Sequence, residues 1–266
     1  MTSPLPLRLA LTALLAGLAT ACAMDDLASH EGSLTGALYV AQGDSYASGT
    51  GTREYYDSGC QRSVHAYPSQ LADLQGLTLA HVACAGARIP DVRANQLSAL
   101  SPLTSLVTLS IGGNDAGFSR VITQCAKPWP WTCGGDIANA RNFISNTLPG
   151  QLDSLYAELE TRAPNAQVII VGYPRLFNGQ ECNLAARISP GEQRDLNSIA
   201  DLLATKTEAA AIAHGFEFLD VRTPFTGHRI CDDAEWINGL SNPVGESYHP
   251  NRTGHDALTS LLAERL

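Results

Sequence analysis

Short apolar runs alternate with longer amphipathic segments along most of the chain. Five of these runs have the length and character of buried β-strands. They cover residues 37–41, 77–83, 106–111, 168–171 and 216–219. A loop that contains glycine or proline follows each of the first four, whereas the fifth runs into Asp220. The pattern therefore predicts five short strands that are covered on both faces.

The segments beyond these runs carry apolar residues at helical spacing. Residues 136–162 form one such stripe, and Pro149 within it either kinks or divides the predicted helix. A second helix is predicted over residues 189–215, because it opens with the serine, proline and glutamate of a capping box and stops at a glycine. The last helix is predicted to follow Asn251.

The alternation of strands and helices indicates right-handed βαβ units and a parallel sheet with helices on both faces. In such sheets, functional residues lie in the loops at the carboxyl ends of the strands. The sequence contains no internal repeat, low-complexity tract or proline-rich linker. It therefore predicts one domain over residues 37–266, preceded by a flexible polar lead-in at residues 24–36.

The N-terminus has the pattern of an export signal. Arg8 precedes an apolar run over residues 9–21, and small residues of the cleavage type follow it. The run is shorter than the roughly 20 residues that a membrane span requires. Residues 1–23 are therefore predicted to be a signal peptide, and the chain to be secreted without a stable membrane span. Cys22 offers an alternative, since a cysteine at a cleavage site can carry a lipid anchor.

The composition narrows the choice of partners. Hydrophobic residues make up 44% of the chain and charged residues 16%, so a sizeable core is available. The formal net charge of −9 and the presence of only two lysines argue against binding to nucleic acid. Nothing in the sequence indicates oligomerisation, and we expect a monomer that acts on a small-molecule or lipid substrate.

The cysteines point to an oxidising compartment. The chain has seven, and six remain when Cys22 is set aside. An even number of cysteines in an exported chain predicts disulfides, with their connectivity left open. His81 lies three residues before Cys84, but no Cys-x-x-Cys pair occurs, so the spacing of zinc ligands is missing and no metal site is expected.

The candidate chemistry lies in the loops that follow strands. Ser45 follows the first predicted strand, Gly86 the second and Asn114 the third. His249 stands just before the last helix, where its loop can return over the strand ends. A serine hydroxyl is a weak nucleophile unless a base takes its proton. Ser45 and His249 are therefore the candidate nucleophile and general base.

A catalytic histidine also needs an acceptor that fixes its tautomer, and Glu246, three residues earlier, is the candidate. The backbone N–H groups of Ser45 and Gly86 and the side-chain amide of Asn114 are candidate oxyanion donors. Each residue has an ordinary alternative: the serine can cap a helix, the asparagine can belong to a turn, and the histidine can lie in a surface loop. Their convergence at the strand ends favours the catalytic interpretation.

These residues resemble a known family. Gly43-Asp44-Ser45, Gly86, Asn114 and His249 are similar to the four blocks of the SGNH/GDSL hydrolases, in the family's order. The flanking sequences resemble its secreted bacterial lipases and esterases, from about residue 38 to the C-terminus. The resemblance implies a flavodoxin-like three-layer α/β/α sandwich with a five-stranded parallel sheet. It also implies hydrolysis of carboxylic esters without a cofactor, through an acyl-enzyme on the serine.

The resemblance further implies the disulfides Cys60–Cys84, Cys125–Cys133 and Cys182–Cys231, of which the first would tether the loop that carries Gly86. The family usually has Asp three residues before the histidine, whereas this chain has Glu246. We expect this glutamate to contribute through its side chain or its carbonyl. Asp44 is expected to be structural, because the neighbour of the nucleophile should point away from the histidine.

The substrate stays open at this level. Lipid, phospholipid, short-chain and acetylated-sugar esters all suit the predicted site. Residues 128–131, which are tryptophan and proline rich, are either an apolar lip that favours acyl chains or a packed surface loop. We expect a lipase or esterase that acts on acyl chains. The alternatives are a carbohydrate acetyl esterase and an exported binding module without catalysis, although the latter would be expected to have lost Ser45, Asn114 or His249.

Overall fold

The computed structural model describes residues 1–2, 36–128, 130–182 and 185–266. It contains a five-stranded sheet in which every neighbouring pair of strands is parallel, in the order β2-β1-β3-β4-β5. The strands are β1 (Leu38–Gly43), β2 (Thr78–His81), β3 (Thr104–Ser110), β4 (Gln167–Val171) and β5 (Glu217–Leu219). The prediction of a five-stranded parallel sheet is confirmed.

Eight α-helices occur among the described residues. They are α1 (Ser45–Ser48), α2 (Tyr67–Gln75), α3 (Ile89–Asn95), α4 (Phe118–Cys125), α5 (Gly134–Asn146), α6 (Leu148–Arg162), α7 (Pro190–Ala213) and α8 (Arg252–Ala263). Helices α2 and α8 pack against each other, while α5, α6 and α7 pack as a second group. The two groups and the sheet form the three-layer sandwich.

The amphipathic stripe over residues 136–162 is two helices. Helix α5 ends at Asn146, Thr147 caps it, and α6 begins at Leu148 with Pro149 in its first turn. A proline is tolerated there because the N–H groups of the first turn have no partner within the helix. Pro149 therefore divides the stripe instead of kinking one continuous helix.

Three disulfides join the described cysteines: Cys60–Cys84, Cys125–Cys133 and Cys182–Cys231. These are the pairs that the family resemblance implies. The first joins the segment before α2 to the loop after β2, and the second joins the end of α4 to the start of α5. The third joins the segment before α7 to the segment after β5.

Residues 3–35 lie outside the described residues. They carry most of the predicted signal peptide, the candidate lipid-anchor site Cys22 and nearly all of the predicted lead-in, so these stay predictions. In the described part of the chain, no helix is long and apolar enough to span a membrane.

Candidate active site

Backbone hydrogen bonds hold the loops after β1, β2 and β3 together at the carboxyl edge of the sheet. The Asp44 N–H donates to the Ser110 carbonyl at 3.0 Å, and the Cys84 N–H donates to the Gly43 carbonyl at 3.0 Å. Gly43 has a φ of 129°, and a Cβ at this position would lie 2.3 Å from the Ser110 carbonyl oxygen. Only glycine allows this approach, which places Ser45 at the strand ends.

Ser45 is the first residue of α1 and is 8% exposed. It does not cap this helix, because Asp44 is the N-cap and its Oδ1 accepts a hydrogen bond from the Tyr46 N–H at 3.0 Å. The capping alternative for the serine is therefore wrong. Its Oγ instead lies 2.9 Å from Nε2 of His249.

His249 is oriented from its other side by the main chain. Its Nδ1 lies 2.8 Å from the carbonyl oxygen of Ser247. Because a carbonyl oxygen only accepts hydrogen bonds, Nδ1 carries the proton and Nε2 offers its lone pair to the Ser45 hydroxyl. Burial lowers the pKa of His249 to about 4, although the Ser247 carbonyl and the charge of Glu246 act against that shift. The ring is therefore neutral at pH 7 and able to act as a base.

Glu246 does not hydrogen-bond to His249, which corrects the prediction by one residue. The glutamate is buried, and its Oε1 accepts a hydrogen bond from the Tyr55 hydroxyl at 2.6 Å. Its carbonyl accepts from the Asn238 side chain at 3.3 Å. The longer side chain, compared with aspartate, thus finds its partner in Tyr55, and the carbonyl of Ser247 takes the place beside the ring. The carboxylate still raises the pKa of His249 through space.

Two of the three predicted oxyanion donors, Asn114 and Gly86, lie on loops that are connected to each other. Nδ2 of Asn114 donates to the Ala87 carbonyl at 3.1 Å, which leaves its second hydrogen for a ligand. Gly86 precedes Ala87 and has a φ of 81°, in a turn that the hydrogen bond from the Ala87 N–H to the Cys84 carbonyl closes at 3.1 Å. The disulfide of Cys84 anchors this turn, and the Ala85 N–H also donates to the Cys60 carbonyl at 3.0 Å.

A cavity of about 210 Å³ opens beside the candidate pair, and Ser45, Asn114 and His249 all line it. Gly86 is exposed and lines a separate open cleft, so its connection to this cavity runs through the contact between Ala87 and Asn114. Of the five predicted site residues, three line this cavity, Gly86 lies on the adjoining loop, and Glu246 is hydrogen-bonded to Tyr55 and does not line the cavity.

Apolar side chains form most of the cavity wall. They come from α4, α7, the loop after β4 and the segment before His249: Phe118, Ile122, Leu176, Leu203 and Val244. None of the described residues in the predicted lip at 128–131 lines the cavity. Trp131 is 60% exposed, with the Lys127 Nζ 5.4 Å from its ring centroid, and Trp129 lies outside the described residues.

Two aromatic side chains of the site, those of Tyr46 and Tyr173, were not predicted from the sequence. The Tyr46 hydroxyl donates to the Tyr248 carbonyl at 2.7 Å, and the Tyr46 ring centroid lies 5.4 Å from that of His249. Tyr173, two residues after β4, donates from its hydroxyl to Oδ2 of Asp44 at 2.6 Å. Their positions in the sequence could have indicated them, because Tyr46 and Tyr173 both follow predicted strands.

One group of described residues has the spacing of metal ligands: Cys125, Cys133 and Glu192. The two sulfur atoms are bonded to each other, so neither is a thiolate. Glu192 accepts a hydrogen bond from the Ser189 N–H at 2.9 Å as part of the capping box of α7. This group therefore has a structural explanation that involves no ion.

Comparison with known proteins finds similarity to GDSL-like lipases and esterases. A model of the GDSL-like lipase/acylhydrolase family matches residues 41–257. Lipase 1 of Streptomyces coelicolor is 42% identical over 251 residues, which cover 92% of this chain and 90% of the relative.

Two solved structures share the fold and much of the sequence. The extracellular lipase of Streptomyces rimosus has a TM-score of 0.80 at 39% identity, over 86% of this chain and 99% of that one. Phospholipase A1 of Streptomyces albidoflavus has a TM-score of 0.82 at 36% identity, over 87% of this chain and 100% of that one.

Proposed function

The chain belongs to the GDSL-like lipase/acylhydrolase family and is a carboxylic ester hydrolase, and from that premise we propose that it is exported and cleaves acyl-chain esters through an acyl-enzyme on Ser45. The observation that carries the proposal is the 2.9 Å contact between the Ser45 Oγ and Nε2 of His249, in the lining of a largely apolar cavity.

The proposed reaction has two halves. The Ser45 oxygen attacks the ester carbonyl while His249 takes the hydroxyl proton at Nε2. The tetrahedral oxyanion accepts hydrogen bonds from the backbone N–H groups of Ser45 and Gly86 and from the Asn114 amide. His249 then gives the proton to the leaving alcohol as the bond to it breaks. A water molecule, deprotonated by the same ring, attacks the acyl-enzyme. The second intermediate then collapses, which breaks the bond to Ser45 and releases the acid, while His249 returns the proton to the Ser45 oxygen.

The acyl preference rests on the cavity. Its wall is lined by Phe118, Ile122, Leu203 and other apolar side chains, which suit a hydrocarbon chain. An acetyl group would leave most of the cavity empty, and a sugar would need polar partners along the wall. Phospholipase A1 of Streptomyces albidoflavus, at 36% identity, adds phospholipid esters to the candidate substrates. Because the cavity suits neither an acetyl group nor a sugar, hydrolysis of acetylated carbohydrates is the second candidate function.

Export is supported by two independent observations. All six cysteines of the proposed mature domain pair in disulfides, which persist in oxidising compartments. The related lipase of Streptomyces rimosus is extracellular. We therefore propose removal of residues 1–23 as a signal peptide, with lipid attachment at Cys22 as the alternative fate of the N-terminus.

The test compares the purified protein with Ser45→Ala on p-nitrophenyl esters from acetyl to palmitoyl. Ser154→Ala is the matched control, since that serine is exposed on α6 and bonds only within its helix. We expect Ser45→Ala to lose at least about a thousandfold in kcat and the control to lose nothing. An optimum on acetyl esters would favour the carbohydrate esterase. Equal hydrolysis by all three proteins would contradict the assignment of Ser45, and no hydrolysis by any would favour a binding module.

A further inference from the structure

One hydroxyl group bridges two of the loops that carry the site. Tyr173 donates a hydrogen bond to Oδ2 of Asp44 at 2.6 Å, and its oxygen accepts one from the Gly113 N–H at 3.4 Å. Asp44 directly precedes Ser45, and Gly113 directly precedes Asn114. The hydroxyl therefore joins the loop of the proposed nucleophile to the loop of a proposed oxyanion donor.

Packing fixes the ring that carries this hydroxyl. The Tyr173 ring meets the Tyr46 ring edge-on, with the centroids 5.0 Å apart and the planes at 78°. A Cβ at Gly113 would lie 3.3 Å from Cζ of Tyr173, so the ring lies directly against that backbone. On the preceding residue, a Cβ at Gly172 would lie 2.8 Å from the Phe218 ring, which holds this segment close to β5. The ring has little freedom to move away from either loop.

The acceptor of this hydrogen bond is an unusual carboxylate. Asp44 is 2% exposed, and its two oxygen atoms accept from the Tyr173 hydroxyl and the Tyr46 N–H. Burial raises the pKa of Asp44 to about 7, the two hydrogen bonds act against that shift, and the charge of Asp115 adds to it. Burial raises the pKa of three phenols that face this carboxylate, those of Tyr46, Tyr67 and Tyr173, and its charge adds to each shift. A hydrogen bond to an ionised carboxylate is roughly twice as strong as one to a neutral group, so the bridge is strongest when Asp44 is charged.

We propose that Tyr173 is a positioning residue for ester hydrolysis, whose hydroxyl holds Asp44 and Gly113 together and thereby sets the placement of Ser45 relative to Asn114. The inference rests on the proposed function, because it concerns the geometry of the same site. Stabilisation of an oxyanion depends on donors that are in place before charge develops. A displacement of about 1 Å can cost on the order of a hundredfold in rate.

The test uses Tyr173→Phe, which removes the hydroxyl and keeps the ring that lines the cavity. Tyr156→Phe is the matched control, because Tyr156 is a buried tyrosine on α6 whose hydroxyl has no partner among the described residues. On a short-chain ester we expect kcat of Tyr173→Phe to fall about 10- to 100-fold with KM nearly unchanged. The control should keep the wild-type kcat. Circular dichroism of both variants establishes that they are folded.

The pH profile separates positioning from simple loss of structure. As the pH falls below about 7, Asp44 takes up a proton and the bridge weakens in the wild-type protein as well. The ratio of wild-type kcat to Tyr173→Phe kcat should therefore be largest above pH 7 and shrink on acidification. A variant that is merely destabilised would show a ratio that is constant or grows in acid.

Asp44→Asn provides the second variant, which weakens the same bridge from its other end. Because Asp44 and Tyr173 act as one unit, the double variant should lose little more kcat than the more damaging of the two single variants. Wild-type kcat in Tyr173→Phe at every pH, or a double variant whose loss is the product of the single losses, would overturn the inference. Failure of the proposed function has a different signature, in which the wild-type protein and Ser45→Ala hydrolyse esters equally.

Discussion

The backbone carbonyl of Ser247 lies 2.8 Å from Nδ1 of His249 and fixes the tautomer of the ring. Any residue at position 247 supplies a carbonyl, so this part of the site depends on the path of the backbone and not on a side chain. The buried carboxylate of Glu246 acts on the ring only through its charge. The roles of acceptor and counter-charge, which one acidic side chain can fill together, are here divided between two residues.

Glu246→Gln should therefore be mild. It removes the charge and leaves the Ser247 carbonyl in place, so we expect kcat to fall about tenfold or less, against roughly ten-thousandfold when a triad acid that sets the tautomer is neutralised. The charge of Glu246 raises the pKa of His249, so its loss should move the acid limb of the kcat/KM profile to lower pH. The measurement is the pH profile of kcat/KM for Glu246→Gln, with Ser247→Ala as the control because it keeps the backbone carbonyl. A shift to higher pH would contradict the assignment.

Gly43→Ala should be severe. The new Cβ would lie 2.3 Å from the Ser110 carbonyl oxygen, and the φ of 129° is unfavourable for any other residue. We expect a loss of more than about 2 kcal/mol in the free energy of unfolding, measured by urea denaturation. Gly150→Ala is the control, since Gly150 lies inside α6 with open space around it and should gain up to about 1 kcal/mol. Equal stability of the two variants would show that β1 and β3 can separate locally.

Ala200→Phe should shorten the preferred acyl chain. Ala200 lines the cavity from α7, so a ring at this position would occupy space that we assign to the chain. We expect kcat/KM for long-chain esters to fall while hydrolysis of the acetyl ester changes little. Ala209→Phe, at an exposed position of the same helix, controls for the effect of a new aromatic residue. An unchanged chain-length profile would place the acyl chain outside this cavity.

Removal of the Cys60–Cys84 disulfide should lower activity as well as stability. The bond closes a loop of 24 residues and anchors the turn of Gly86, and a loop of that size is worth about 3 kcal/mol. The double variant Cys60→Ala/Cys84→Ala should therefore melt earlier and have a lower kcat on a short-chain ester.

The control removes the Cys125–Cys133 disulfide, which joins α4 to α5 and has no bond to the Gly86 turn. Its loss should lower the melting temperature while the kcat of the folded enzyme on the acetyl ester stays near the wild-type value. Equal losses of kcat in the two double variants would argue that the Cys60–Cys84 disulfide stabilises the fold without positioning Gly86.

The strands were predictable because strands buried on both faces read as continuous apolar runs, as in residues 168–171 of β4. The N-terminal ends of α7 and α8 were equally predictable, since the capping box at Ser189 and the cap at Asn251 each depend on a side chain. Helix α4 was not predicted, because Phe118–Cys125 spans little more than two turns and has too few positions to establish a helical period of apolar residues. As a result, the sequence predicted an apolar lip in the loop after α4, whereas α4 itself provides part of the apolar cavity wall.

Within the site, Ser45, Asn114 and His249 were identifiable because their chemistry resides in side chains, which follow a predicted strand in the first two cases and precede the last helix in the third. The acceptor for His249 was placed one residue early, since a backbone carbonyl leaves no mark in the sequence. Tyr173 shows the opposite limit. Tyr173 follows a predicted strand, but the sequence does not show its contact with Asp44. The two residues are 129 positions apart in the chain, so the contact depends on how two distant loops meet.

The hydrogen bonds of Asp44 and Cys84 to the strand carbonyls extend the sheet into the loops that carry Ser45 and Gly86. The first residues of these loops are held while the central strands remain paired, so we expect the start of each loop and the sheet to open together. The two amide hydrogens should then exchange with solvent as slowly as those of β1 and β3, and activity should be lost on heating only where the whole domain melts. We therefore expect activity and tertiary structure to be lost together on heating, with no folded but inactive form between them.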